Sequence, residues 1–212
     1  MTAKVIETAK LPLIVGQHNY PFSMDGDDRM PVLWVNDFEE ESAREFFDLF
    51  SSFISDDIVS HIIVYIDSFG GQVDSLAAIA ELVVSSPKPI ITVAVGKAFS
   101  AGAILLTMGE PGYRWIAPNS RIMLHRLQLG CQEGTTVDNI SHIAEEILRL
   151  NDVWMHKLVD KSKMKWTEFN KKLNEHGGQW FMDAKTAVAY GFADHIGLPK
   201  IREVRHWVID IK

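Results

Sequence analysis

Hydrophobic residues first fall into register after Ser42, where Phe46, Phe47, Phe50, Phe53 and Ile54 recur at three- and four-residue spacing. That spacing sets them on one face of an amphipathic helix, with an acidic opposite face. The period then changes. HIIVYID, from His61 to Asp67, is a short β-branched run that reads as a buried strand, and GGQVDSLAAIAELVVSS returns to helical spacing with Val73, Leu76, Ala77, Ala80 and Val83 inward. PIITVAVG from Pro89 and then SAGAILLTMG repeat the same order. Repeated β-then-α units predict parallel strands joined by right-handed crossovers. YRWIA and RIMLH follow as two more strands.

Beyond a loop containing Gly and Thr, Val137, Ile140, Ile143, Ala144, Ile147, Leu148, Trp154, Met155 and Leu158 carry a helical stripe. It spans about 25 residues, roughly 38 Å at the helical rise. A helix that outreaches the body of its own domain usually finds a neighbour, which points to self-assembly; the plainer reading is a helix that covers the core. WTEFNKKLNEHGG predicts a short helix stopped by Gly177 and Gly178, and DAKTAVAYG a second, with Asp183 as N-cap and Gly191 beyond its end. VRHWVIDI places Trp207, Ile209 and Ile211 on one side of a closing strand. Residues 1–30, with KLPLIVGQHNYPFSMDGDDRM, show no sustained period and predict a loosely structured arm. Residues 31–212 predict a single α/β domain.

Composition narrows the partners. The 212 residues, 47% hydrophobic and 23% charged, suit one folded core. No apolar run reaches the roughly 18 residues of a membrane span, and no basic-then-apolar signal opens the chain, so a soluble, cytoplasmic protein is expected. Cys131 is the one cysteine, which excludes an internal disulfide and a Cys-based zinc cluster. A net charge of −7 argues against nucleic acid.

The candidate chemistry lies where strands meet helices. SFGG at 68–71 and GKAFSAG at 96–102 are glycine-rich corners, and N–H groups at the start of each following helix would face the crevice at the strand ends. An oxyanion hole is the natural reading, with the N–H of Gly70 and that of Ala101 as donors. Ser100, between Ala98 and Gly102, sits in an Ala-x-Ser-x-Gly form of the nucleophile elbow. A serine needs a base, and His125 ends the strand RIMLH, where a sheet would offer its ring to the same crevice. His142, near Glu145 and Glu146, lacks a second histidine four residues away and makes a poor metal helix. His61, His156 and His206 read as surface or strand-edge residues.

These segments together resemble the proteolytic subunit of the Clp protease, a self-compartmentalising serine peptidase, from about Val32 to Ile196. YIDSFGGQVDSLAAI resembles the family's strand-turn-helix, VGKAFSAGAILLTMG its serine elbow, PNSRIMLH its histidine segment and FMDAKTAVAYGFADHIG its closing helix-turn. The resemblance implies a ClpP/crotonase-like α/β fold of repeated β-β-α units with a protruding long helix, the handle. It implies Ser100 as nucleophile, His125 as general base, and Gly70 with Ala101 as oxyanion donors. It also implies seven-membered rings stacked in pairs around a chamber, fed with unfolded chains by an AAA+ ATPase. No Walker A pattern is present, so ATP and its site are assigned to that partner, with no cofactor or metal in this chain.

Two positions depart from the family pattern. Gln179 stands where the family has the aspartate that completes the triad; Asp183 is an alternative if the loop is displaced. Phe69 stands where the family has proline, and Lys97 beside the elbow raises a Ser-Lys dyad, although strand alternation aims it away from Ser100. GKAFSAGAILL also resembles the oxyanion segment of crotonases, in which the serine is not a nucleophile. Their acidic residue is absent, because Ile104 follows Ala103, and the second glycine corner lies upstream rather than downstream. A serine endopeptidase is therefore the leading expectation. A ring subunit with little hydrolysis and a crotonase-type acyl-CoA enzyme are the alternatives.

Overall fold

The computed structural model describes residues 6–9, 31–57, 59–128, 136–199 and 202–205. In chain order its elements are β1 (Ile6–Ala9), β2 (Val32–Val35), α1 (Glu40–Ser55), β3 (Ile62–Ser68), α2 (Val73–Val84), β4 (Ile90–Phe99) and α3 (Ala101–Met108). These are followed by β5 (Arg114–Ile116), β6 (Arg121–His125), α4 (Val137–Asp160), α5 (Trp166–Glu175), β7 (Gln179–Asp183), α6 (Ala184–Tyr190), β8 (His195–Ile196) and β9 (Arg202–Arg205).

Strands β2, β3, β4, β5 and β8 lie side by side in that order, all parallel. The predicted β-then-α repeat is thus realised. β3 and β4 occupy the middle and are apolar on both faces, as central parallel strands must be when helices cover them. Phe46, Phe50 and Phe53 of α1 are buried, as are Leu76, Ile79, Ala80 and Val83 of α2. Phe47, expected on the same face of α1, is exposed: it lies about 100° round the helix from Phe46, at the edge of the stripe that Phe46, Phe50 and Phe53 bury. All eight residues of α3 are buried.

β4 divides its attention, and this shapes the site. Its first half pairs with β5 through Thr92–Ala94, and its second half pairs with β6 through Lys97–Phe99. Between the halves the β3–β4 register shifts, from Ile66↔Ala94 to Ser68↔Ala98. Gly96 sits in that shift with φ 70°, where a Cβ would lie 2.9 Å from Asp67 Oδ1. β6 then pairs antiparallel with β7, placing His125 opposite Gln179. The closing helix-turn expected from Phe181 onward left this strand out, although Trp180 and Met182 alternate inward as a strand requires.

α4 is 24 residues long, about 36 Å. Trp154, Met155, Leu158 and Val159 are buried, whereas Ile140, Ile143, Leu148 and Val153 are exposed. Only the C-terminal part of the predicted stripe covers the core.

β1 and β9 form a separate antiparallel pair, with Ile6 opposite Arg205 and Ala9 opposite Arg202. The first therefore puts a strand inside the arm expected to be loose, because an extended segment with a partner forms a ladder without any hydrophobic period. Trp207, Ile209 and Ile211, the rest of residues 1–30, His206 and Cys131 lie outside the described residues.

One polar cluster ties the end of the sheet together. Arg114 Nη2 and Nε donate to Asp194 Oδ1 and Oδ2 at 2.6 and 2.9 Å, Gly112 N–H donates to Oδ2 at 2.7 Å, and Arg114 Nη1 donates to Lys161 O at 2.7 Å. Burial pushes the Asp194 carboxyl upward, but the Arg114 hydrogen bonds outweigh it and hold its pKa below the usual range. Its contribution is therefore fully present above the ordinary carboxylate range and is lost as pH falls through the lowered value. Asp194→Asn is expected to destabilise the protein by about 3 kcal/mol at pH 7, since it strands the Arg114 charge. Denaturant midpoints measure this, and the gap to the wild type should close in acid.

Candidate active site

Ser100 is the only non-glycine residue with positive φ among the described residues, at φ 54° and ψ −119°. Such a backbone costs about 1–3 kcal/mol and persists only where its surroundings enforce it. Here β6 and α3 do so. Ser100 N–H donates to Met123 O at 2.8 Å, and Ser100 O accepts from Ala103 and Ile104 N–H at 3.0 and 3.2 Å. The first turn of α3 thus starts its bonding at Ser100, leaving the N–H groups of Ala101 and Gly102 ahead of the ladder. Both carry the positive end of the helix dipole.

The other glycine corner closes on this elbow. A Cβ on Gly70, whose φ is 106°, would stand 2.7 Å from Ser100 Cβ and 3.1 Å from its Oγ. Gly70 is therefore the space into which the serine fits. Its N–H, expected to face an oxyanion, donates to the buried Ser68 Oγ at 3.0 Å. The next residue, Gly71, bridges Phe38, and Gln72 N–H donates to Phe38 O at 2.8 Å.

His125 ends β6, two residues beyond the Met123 that receives Ser100 N–H. Its Nδ1 is buried with no hydrogen-bond partner among the described residues. No hydrogen bond joins the ring to Ser100 Oγ either. Gln179, directly opposite on β7, shares the face of His125, but its side chain is exposed and leaves Nδ1 unsatisfied. The sequence-predicted triad positions are brought together by strand pairing, without closed hydrogen bonds.

Asp183, the alternative to Gln179, lies apart from His125 along β7. It pairs opposite Arg121, four residues or about 13 Å along the strand, and its carboxylate accepts from Thr186 N–H at 2.8 Å as the N-cap of α6. Hydrogen bonding from the Thr186 side chain, and then from its N–H, holds the Asp183 pKa below the usual value. Lys97 is likewise committed elsewhere, with Nζ 2.7 Å from Asp67 Oδ1 and 4.3 Å from the centre of the Phe69 ring. His142 is exposed, and no group of three or more potential metal ligands occurs among the described residues.

An aromatic row went unread in the sequence. Phe69 meets Phe99 edge-on at 6.0 Å, and Phe99 meets Phe181 at 5.5 Å. Phe99, Met123 and Phe181 form one cross-strand row, adjacent to the row of His125 and Gln179. The alternation of positions 97, 99 and of 179, 181 was the available signal.

The Clp protease family model matches residues 28–200. The chain belongs to the Clp protease family. It is 35% identical over 142 residues to ATP-dependent Clp protease proteolytic subunit 3 of Synechococcus sp. (strain CC9902), covering 67% of this chain and 69% of that relative. It is 32% identical over 168 residues to proteolytic subunit 1 of Leifsonia xyli subsp. xyli (strain CTCB07), covering 78% and 82%. Proteolytic subunit 2 of Prochlorococcus marinus subsp. pastoris is 34% identical over 142 residues. The Clp protease match takes in both glycine corners, the elbow, His125 and Gln179. Among the described residues of this Clp family member, no helix is long and apolar enough to cross a membrane.

Proposed function

We propose that the chain is the peptide-hydrolysing subunit of a Clp-type protease, a serine endopeptidase in which Ser100 attacks and His125 is the base. The strained elbow carries this reading: a non-glycine residue held at φ 54° at a helix start, beside a strand-end histidine. As Ser100 Oγ bonds to the scissile carbonyl carbon, its proton passes to His125 Nε2. His125 then gives that proton to the leaving amine. Water deprotonated by the same ring hydrolyses the acyl-enzyme, releasing the carboxylate and restoring Ser100.

Ala101 N–H supplies one oxyanion donor. For the second we favour Gly71 over Gly70. Successive N–H groups of an extended chain face opposite sides, so with Gln72 bonded to Phe38, Gly71 N–H faces the β4 side. Gly70 instead supplies room for the serine. Gln179 is the orienting partner of His125, turning inward to accept from Nδ1–H.

The exposed Ile140, Ile143 and Leu148 of α4 support self-assembly, which we take to be paired seven-membered rings enclosing the active sites. In that reading an AAA+ ATPase partner binds and hydrolyses ATP and delivers unfolded chains, this chain needs no cofactor or metal of its own, and the complex works in the cytoplasm. The relatives are named as proteolytic subunits of ATP-dependent Clp proteases.

The alternative is a ring subunit with little hydrolysis. Cleavage of a fluorogenic peptide, together with sedimentation, separates the two. Hydrolysis that both Ser100→Ala and His125→Ala remove supports the first; assembled rings without hydrolysis support the second.

A further inference from the structure

We propose that Phe69 is a positioning residue that holds the glycine corner against the serine elbow. This rests on the peptidase reading of Ser100. The backbone ladder between β3 and β4 ends at Ser68↔Ala98, just short of both functional turns. Beyond that point side chains take over. Lys97 Nζ bonds Asp67 Oδ1 at 2.7 Å and lies 4.3 Å over the Phe69 ring, which in turn meets the edge of Phe99 at 6.0 Å.

The lacing therefore alternates between corner and elbow: Asp67, Lys97, Phe69, Phe99. Its last two members are the residues immediately before Gly70 and Ser100. Phe99 is fixed from the far side by Phe181, edge-on at 5.5 Å, so it is an anchor rather than a passenger. Phe69 is 73% exposed, and a ring that open is held by its two partners, not by burial. Where proline would restrict the corner through its own ring, phenylalanine restrains it through packing.

Releasing the corner would separate Gly70 from Ser100 and misplace the donor at Gly71, which changes the rate of chemistry more than the affinity for substrate. An exposed ring beside the site could otherwise be a substrate contact, and the two roles divide kcat from KM.

Phe69→Ala, Phe69→Tyr and Lys97→Met are compared with wild type by peptide hydrolysis and by hydrogen exchange of the amides in segments 68–72 and 100–104. For Phe69→Ala we expect kcat about tenfold lower with KM within about twofold, and faster exchange in both segments. Phe69→Tyr restores both, and Lys97→Met added to Phe69→Ala speeds exchange further, because it also removes the Lys97–Asp67 ion pair that joins the two segments without Phe69. Unchanged exchange in Phe69→Ala overturns the proposal, as does a loss confined to KM. If the wild type hydrolyses nothing, the peptidase reading fails on that result alone. Exchange at the corner still decides the role of Phe69.

Discussion

Gln179→Asp is expected to raise peptide hydrolysis on the order of 100-fold, mainly through kcat. His125 and Gln179 are directly opposed across β6 and β7, a pairing that puts Cβ atoms about 5 Å apart, within reach of an aspartate on the ring. Among the described residues the buried Nδ1 has no hydrogen-bond partner, so a place for that carboxylate exists. An amide oxygen can hold the tautomer but stays neutral. Once Ser100 has passed its proton to the ring, an imidazolium whose buried Nδ1 faces no counter-charge is expensive, and a carboxylate offsets that expense where an amide does not. Steady-state kinetics on the purified variant measure the change. An unchanged rate in a variant with wild-type stability and assembly would remove Gln179 from the catalytic arrangement.

Gly70→Ala has the opposite outcome, a loss of hydrolysis of at least about 100-fold. The new methyl would stand 2.7 Å from Ser100 Cβ and 3.2 Å from Phe99 O, and both belong to an elbow fixed by β6 and α3. Something must shift, and the serine is what lies in the way. The substitution also forces a side chain onto φ 106°, which costs stability in its own right. Gly177→Ala separates the two effects: φ there is 63°, and nothing lies within 4 Å of the added carbon. It should lose stability in the denaturant midpoint and keep its rate, whereas Gly70→Ala loses both.

The central sheet was legible because β3 and β4 are continuous apolar runs between helical segments, a pattern with few competing readings. The elbow and His125 were legible for the same reason, since each stands at the end of such a run. β7 was not, because five residues between a double glycine and a helix carry too little period to be told from a turn. Phe47 was misassigned within a correctly placed helix because it lies at the edge of the stripe, where spacing does not tell a covered flank from an exposed one. The finer site lay further out of reach. Whether Gly70 N–H meets a substrate or Ser68 Oγ depends on one loop hydrogen bond, and no spacing in the sequence encodes it. Nor could periodicity reveal that Lys97, Phe69 and Phe99 meet, since the contact follows from a register shift at Gly96.

The central claim is that Ser100 is a nucleophile. Incubation with a fluorophosphonate probe followed by intact-mass measurement tests it directly. One probe should attach per chain, map to Ser100, and disappear in both Ser100→Ala and His125→Ala. A correctly assembled wild-type protein that never takes up the probe, or one that is labelled equally after Ser100→Ala, would contradict it.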